Sequence, residues 1–291
     1  MISINTNNGG LFAAKAASQS QATIDSAMQR LSTGSRINNA KDDAAGQAIA
    51  TRLTAEIQGL EIASRNVADG QSLVDTAEGA LQETHTLLLR MREIGVQAAN
   101  GTLSTSDNEA LDAEFQQLVK EIDRIAQNTT WAGAALLNGD GGTVDTSETF
   151  SFQAGVGNNS GADVFSVTVK NADATTLDIY VEQTVSGVTS NSVGLLSQSS
   201  AQTAIGLVDT AIATVSSERA NLGAVSNRMA STMANLDQIR VNLTASKGRI
   251  ADADFAAETA NLAKGQILQQ AATAMLAQAN ASKQQVLTLI R

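Results

Sequence analysis

Apolar residues recur along the chain at a strict spacing of seven, first as Leu53, Leu60, Val67, Val74, Leu81 and Leu88. A second column, Ile49, Ala63, Gly70, Ala77, Thr84, Met91 and Ala98, is rich in small residues and has Glu56 as its one charged member. Two such columns make the seam of a coiled-coil helix that lets its neighbours approach closely. At roughly 1.5 Å per residue, the stretch 53–98 spans about 70 Å. Asn100-Gly101 is expected to stop it, because both residues tolerate the left-handed conformation that closes a helix.

Ser106-Asp107-Asn108-Glu109 reads as the capping box of a shorter helix whose seam is Leu111, Leu118 and Ile125 interleaved with Phe115 and Ile122. A third seam, Val208, Val215, Leu222, Met229, Leu236, Leu243 and Ile250, runs beside Ala204, Ala211, Glu218, Val225, Thr232, Ile239 and Ser246. Matched rods of nearly equal length predict an antiparallel pair, with 106–129 folding back along them. Chain ends then meet at one pole and the intervening segment sits at the other.

That segment, 138–200, differs in kind. It is rich in Gly, Ser, Thr and Asn, and alternation at Phe150/Phe152, Phe165/Val167/Val169 and Leu177/Ile179/Val181 predicts short strands. Its acidic residues Asp140, Asp145, Glu148, Asp163, Asp173, Asp178 and Glu182 face Lys170 alone, which predicts a water-facing insert. The Ser/Thr/Asn stretch 184–203 reads as solvated loop, with O-glycosylation as the other reading.

Both ends are helical and poor in charge. From Phe255 to Arg291 the charged residues are Glu258, Lys264, Lys283 and Arg291, while Leu268, Ala271, Met275, Ala279, Ser282, Val286 and Leu289 form a stripe at helical spacing. Leu11, Ala14, Ile24, Met28 and Leu31 form a matching stripe at the other end. The two are expected to pair, but each has little hydrophobic payload against its ordering entropy, so they are expected to order only when subunits pack them together. The fold class is therefore mainly α with a small β-rich insert: a long antiparallel coiled-coil bundle, paired terminal helices and a short outer β region. The expected divisions are 1–45, 46–137, 138–200, 201–254 and 255–291.

Composition narrows the function. Among 291 residues there is no proline or cysteine, and aromatics make up 3%. Without proline nothing forces a kink, and without cysteine there is no thiol nucleophile, disulfide or thiolate metal site. A net charge of −10 argues against nucleic acid. No run approaches the ~20 apolar residues of a membrane span, which excludes membrane insertion and a membrane-active translocator. The start has neither the basic nor the apolar region of a secretory signal, so export would need another route. His85 is the only histidine and no HExxH exists, so a zinc-protease insert is excluded. Asp42/Asp43 and Asp252/Asp254 stand at helix starts, where capping explains them better than acid/base chemistry. No cofactor is implied, and a self-assembling structural protein is the expected class.

Four stretches carry a family resemblance: RLSTGSRINNAKDDAAGQAIA from Arg30, LLLRMREIGVQAANGTLS from Leu87, EIDRIAQNTTWAGAALLNG from Glu121 and RIADADFAAETANLAKGQILQQAATAMLAQ from Arg249. Over roughly 1–138 and 200–291 the chain resembles bacterial flagellin. The resemblance implies an extracellular filament subunit, with terminal helices as inner wall and the long helices around them. It also implies unfolded export through the flagellar type III pathway, an export chaperone on the C-terminal helix, and cap and hook-junction proteins as partners. Leu11, Ile24, Met28, Leu31, Leu268, Met275, Val286 and Leu289 would then be assembly positions, joined by Arg36, Lys41, Asp42 and Asp43 of the link between helices. The resemblance further implies recognition by the vertebrate Toll-like receptor that senses flagellins, through Arg90, Ile94, Gln97 and Glu114. Leu89 and Ile94 depart from the usual Gln and Leu there, and Gly95 is expected to loosen that turn by about 1 kcal/mol. The alternative is the hook–filament junction protein, or another helical structural protein exported by the same route; the match along 87–138 favours flagellin.

Overall fold

A computed structural model describes residues 6–138, 147–159, 161, 163–179, 182–185, 188–191 and 193–289, with the side chains of 182–185, 188–191 and 284–289 excepted. The elements are helices α1 (Asn8–Thr33), α2 (Ala44–Ala98), α3 (Thr105–Asn128), α4 (Gln198–Ala251) and α5 (Phe255–Leu289), with three hairpins between α3 and α4. These are β1 (Thr130–Trp131) with β2 (Ala134–Ala135), β3 (Glu148–Gln153) with β4 (Val164–Val169), and β5 (Glu182–Val185) with β6 (Val188–Asn191). The chain forms two compact units, 1–58 with 240–291 and 59–239, so α2 and α4 each contribute to both.

In the unit built from the chain ends, α1 and α5 run antiparallel. Asn7 donates to Asn280 Oδ1 at 3.1 Å, Gln269 to Gln21 at 2.6 Å and Arg30 to Glu258 at 2.8 Å, so contacts descend α5 as they climb α1. Close approach needs Gly265, because a methyl there would stand 2.8 Å from Ile24 Cγ1. Gly34 closes α1 with φ 69°, its N–H donating to Arg30 O at 2.9 Å. The chain then runs antiparallel to the α4–α5 junction through a Ser35–Asp252 bridge, with Arg36 N donating to Ala251 O at 2.7 Å and Ala253 N to Gly34 O at 3.0 Å. Asp43 caps α2 through Gly46 N at 2.8 Å, and Asp254 caps α5 through Ala256 N at 2.9 Å, the capping role expected for both.

In the second unit the expected rods are present and antiparallel. Gln71 meets Ser226 at 3.4 Å, Glu78 meets Arg219 at 2.7 Å and Arg92 meets Asp209 at 2.6 Å. Leu60, Val67, Val74, Leu81 and Leu88 are buried, as are Val208, Val215, Leu222, Met229 and Leu236. Heptad counting missed Leu73 and Ile94, which are also buried: with a third helix and the insert to cover, the stripe on α2 is wider than a two-stranded seam. The far ends of the columns depart from expectation. Ile49 and Ile239 are exposed, and Leu53, Leu243 and Ile250 are half-buried.

Two helix ends and one helix face differ from expectation. Neither Asn100 nor Gly101 is left-handed; α2 stops in turns closed by Asn100 N to Gln97 O and Leu103 N to Asn100 O. The capping box on α3 is Ser104/Asp107, two residues earlier than expected, with Asp107 accepting from both the Ser104 N–H and hydroxyl. The buried stripe of α3 is Phe115, Val119, Ile122 and Ala126, whereas Leu111, Leu118 and Ile125 are half-buried. Ala126 is inconspicuous in sequence, and side-chain size misdirected the expected seam toward Leu118.

The insert also differs from expectation. β3 and β4 pair as foreseen, Phe150 opposite Val167 and Phe152 opposite Phe165, but Leu177 and Ile179 lie in and after a helical turn. Val181 lies outside the described residues, and β5–β6 occupies part of what was expected to be loop. Instead of facing water throughout, Phe165, Val167, Val169, Leu177, Ile179, Val193 and Leu195 are buried. The β3–β4 hairpin lies along the rods at Gly59, Gly70 and Met229, far from the α2–α3 turn and thus not at the pole where it was expected. Helical carboxylates replace a sheet ladder: Asp112 accepts from Leu195 N at 2.7 Å, Asp123 from Ala174 N at 2.8 Å and Glu218 from Lys170 N at 3.3 Å. The Arg228 guanidinium covers the Phe165 ring, 4.4 Å from its centroid.

Candidate assembly surface

A long helix in water normally hides its apolar face, yet the α1–α5 pair leaves much of its own uncovered. Leu11 is 66% exposed, Phe12 75%, Phe255 68%, Ile267 66% and Met275 64%. Met28 and Leu268 are exposed as well. The reason lies in the composition. The residues buried in this pair are mostly small, Ala13, Ser20, Ala27, Gly265 and Ala272 with Ile24, so the backbones come close and the larger side chains are left largely uncovered.

Of the expected assembly positions on α1, Leu11 and Met28 are exposed, Leu31 is half-buried and Ile24 is buried against Gly265. Leu268 and Met275 on α5 are exposed; the Val286 and Leu289 side chains lie outside the described residues. Phe12, Phe255 and Ile267 escaped the sequence reading because they fall off the counted stripes. A shallow groove of about 710 Å³ between the helices is lined by Phe12, Ala13, Leu268, Ala272 and Met275. Arg30 and Glu258 close its neighbourhood with a 2.8 Å ion pair in which the carboxylate is almost buried.

The link between α1 and α2 is largely committed within the subunit. Arg36 donates to Ile250 O at 2.7 Å and lies 3.6 Å from Asp43, which caps α2. Asp42 accepts from the N–H groups of Asn39 and Asn38, and those bonds hold its carboxyl below the usual carboxylate range. Lys41 is exposed.

On α2 and α3 the four expected receptor residues separate into two kinds. Arg90 bonds Glu114 of α3 at 2.7 Å and Glu93 at 3.1 Å; the Glu114 bond, more than the Glu93 bond, raises its already high pKa. Gln97 and Glu114 are exposed beside it. Ile94 is 1% exposed, so its side chain belongs to the core and offers no surface, a correction to the expectation. Leu89 and Val96 are the exposed apolar residues of this stretch. The expected loosening at Gly95 is also corrected: Ile205 of α4 fills the space, and a methyl on Gly95 would stand 3.0 Å from its Cγ1.

Family models match both halves of the helical shell. The bacterial flagellin N-terminal helical region matches residues 4–141 and the bacterial flagellin C-terminal helical region matches 205–290. The chain belongs to the bacterial flagellin family. Similar proteins include the flagellin of Halalkalibacterium halodurans, 44% identical with 91% of each chain covered, and that of Bacillus subtilis, 40% identical with 99% of each covered. In structure, a protein of Vibrio parahaemolyticus assigned as flagellar hook-associated shares the fold: TM-score 0.57 at 14% identity, covering 72% of this chain and 100% of the other. At that identity the likeness concerns fold alone, whereas membership of the flagellin family supports the role of a structural filament subunit. The mainly α fold with a small β insert expected from sequence is the one found.

Proposed function

We propose that the exposed apolar face of α1 and α5 is the surface through which copies of the chain stack into the filament core. The observation that carries this is the row Leu11, Phe12, Met28, Phe255, Ile267, Leu268 and Met275, exposed on two helices with little charge. Each such side chain contributes roughly 1.5–3 kcal/mol when fully buried. A non-closing, heterologous interface repeated around an axis builds a helical filament. On this reading 1–45 and 255–291 form the inner wall, 46–137 and 201–254 the shell around it, and 138–200 the part farthest out. The 36–43 link contributes further contacts, Lys41 being the member free to reach a neighbour.

Assembly of this kind fits export of the chain unfolded through the type III pathway, with a chaperone shielding the C-terminal helix, and growth beneath a cap from a hook-junction base. Full-length chain and a version lacking 1–40 and 255–291 should be added to filament seeds and followed by electron microscopy. Only the full chain is expected to elongate them; equal growth by the trimmed version removes the proposal.

A second reading concerns recognition by the vertebrate Toll-like receptor. Arg90, Gln97 and Glu114 lie together and exposed, with Arg90 and Glu114 already paired, a preformed charged patch. Ile94 supports it from beneath. A receptor reporter assay with purified monomer tests this, and silence at high dose refutes it.

A further inference from the structure

The chain has six methionines; Met1 lies outside the described residues, Met233 is half-buried, and the other four fall at the two extremes of exposure. Met91 and Met229 are 0% exposed in the core of the second unit, while Met28 and Met275 are 56% and 64% exposed on α1 and α5. Thioether oxidation needs an oxidant to reach a sulfur lone pair, so exposure selects the site. Met275 lines the groove with Phe12, Leu268 and Ala272, the part of the surface on which the proposed assembly depends. There is no cysteine to react first with a peroxide.

We propose that Met28 and Met275 make the unassembled subunit peroxide-sensitive: their sulfoxides block its addition to a filament, and reduction of the sulfoxides restores it. This rests on the assembly reading above. In the step itself the sulfur lone pair attacks one oxygen of hydrogen peroxide and the O–O bond breaks. A S–O bond forms, a proton passes to the departing hydroxide to give water, sulfur loses two electrons and the peroxide gains them. The product is a strong acceptor on an otherwise apolar face. Burying it without a donor disfavours stacking; Lys264 is the charged side chain that lines the same groove, among neighbours that are otherwise uncharged. Once stacked, the same sulfurs are covered, so the filament is more resistant than its precursor.

The test uses full-length chain with dilute hydrogen peroxide, peptide mapping and seeded elongation. Sulfoxide is expected at Met28 and Met275 before Met91 and Met229, and more slowly in filaments than in monomer. The subunit concentration needed for growth should rise by about tenfold, the factor that corresponds to roughly 1.4 kcal/mol. Treatment with methionine sulfoxide reductases of both epimer specificities should reverse the rise. For the double variant Met28→Leu/Met275→Leu, elongation after peroxide is compared with the same variant's elongation before it, and the ratio should be near one. Oxidation of Met91 and Met229 at the same rate, a peroxide effect undiminished in the double variant, or failure of the reductases to restore growth would each overturn the proposal. Untreated chain that does not elongate seeds would sink the assembly reading itself, and this proposal with it, whatever the oxidation map shows.

Discussion

Arg30 and Glu258 join α1 to α5 through a 2.8 Å ion pair whose side chains are 30% and 10% accessible. Among the described residues it is the ion pair that links the two helices, in an interface otherwise rich in Ala, Ser, Ile and Gln, and Asn261 adds a 3.4 Å bond to the same carboxylate. It fixes the register of the two helices, because sliding either by one turn would strand a nearly buried Glu258.

Glu258→Ala is therefore expected to weaken pairing of the terminal helices by about 1.5–3 kcal/mol, the range for hydrogen bonds to charged groups. Arg30→Ala should cost about the same or more, since it leaves the carboxylate buried. The check is seeded elongation rate together with filament melting by circular dichroism. Charge reversal of both residues should recover part of the loss; no recovery would mean that the pair does not set register.

Asp123 makes a prediction with an unusual sign. Burial, followed by the neighbouring Asp173, raises its pKa, while the Ala174 N–H bond only partly opposes this. A raised carboxyl pKa means that the native state binds the proton more readily than the unfolded chain. The group's contribution is thus most favourable below the unfolded pKa and is lost as pH rises through the folded one. Asp123→Asn keeps an oxygen for Ala174 N–H and removes the charge. Relative to the unaltered chain, it should gain stability as pH is raised from about 3 to 7, measured by urea unfolding; a constant difference across that range would refute the assignment.

Phe115 was expected in the α3 stripe and is found there, whereas Leu118 was expected there and lies at its edge. Phe115 is fully buried and Leu118 half-buried. Phe115→Ala should cost about 3–5 kcal/mol, and Leu118→Ala less than the 2–5 kcal/mol of a fully buried leucine. Urea denaturation of the two variants, with equal losses, would contradict the burial pattern.

Ile94 and Arg90 should separate in a receptor reporter assay. Arg90→Ala is expected to reduce activation while leaving the melting temperature nearly unchanged, since exposed ion pairs contribute about 0–1 kcal/mol. Ile94→Ala should lower the melting temperature, losing a buried side chain worth about 2–5 kcal/mol. Loss of activation by Ile94→Ala with an unaltered melting curve would put that side chain on the surface after all.

How far the sequence could be read follows from where its signals were periodic. The columns Leu60 to Leu88 and Val208 to Leu236 are buried as counted, because a rod packed along its length repeats one environment every two turns. The low charge of α1 and α5 likewise announced helices with apolar side chains left uncovered within the subunit. Where periodicity lapsed, size and polarity misled: Leu118 outranked Val119 and Ala126, and the polar insert concealed strands whose alternate side chains are buried. The family resemblance grouped Arg90, Ile94, Gln97 and Glu114, but could not tell that Ile94 faces inward while Arg90 faces out.

The sequence by itself determined the helices, their pairing order and the presence of an uncovered apolar surface at the chain ends, since each follows from local spacing and composition. Only the tertiary structure decided which face each helix turns inward, where the insert lies and which carboxylates hold it. Those depend on three partners meeting at once: Asp112, Asp123 and Glu218 are ordinary helix-surface acids until the backbone N–H groups of Leu195, Ala174 and Lys170 arrive beside them.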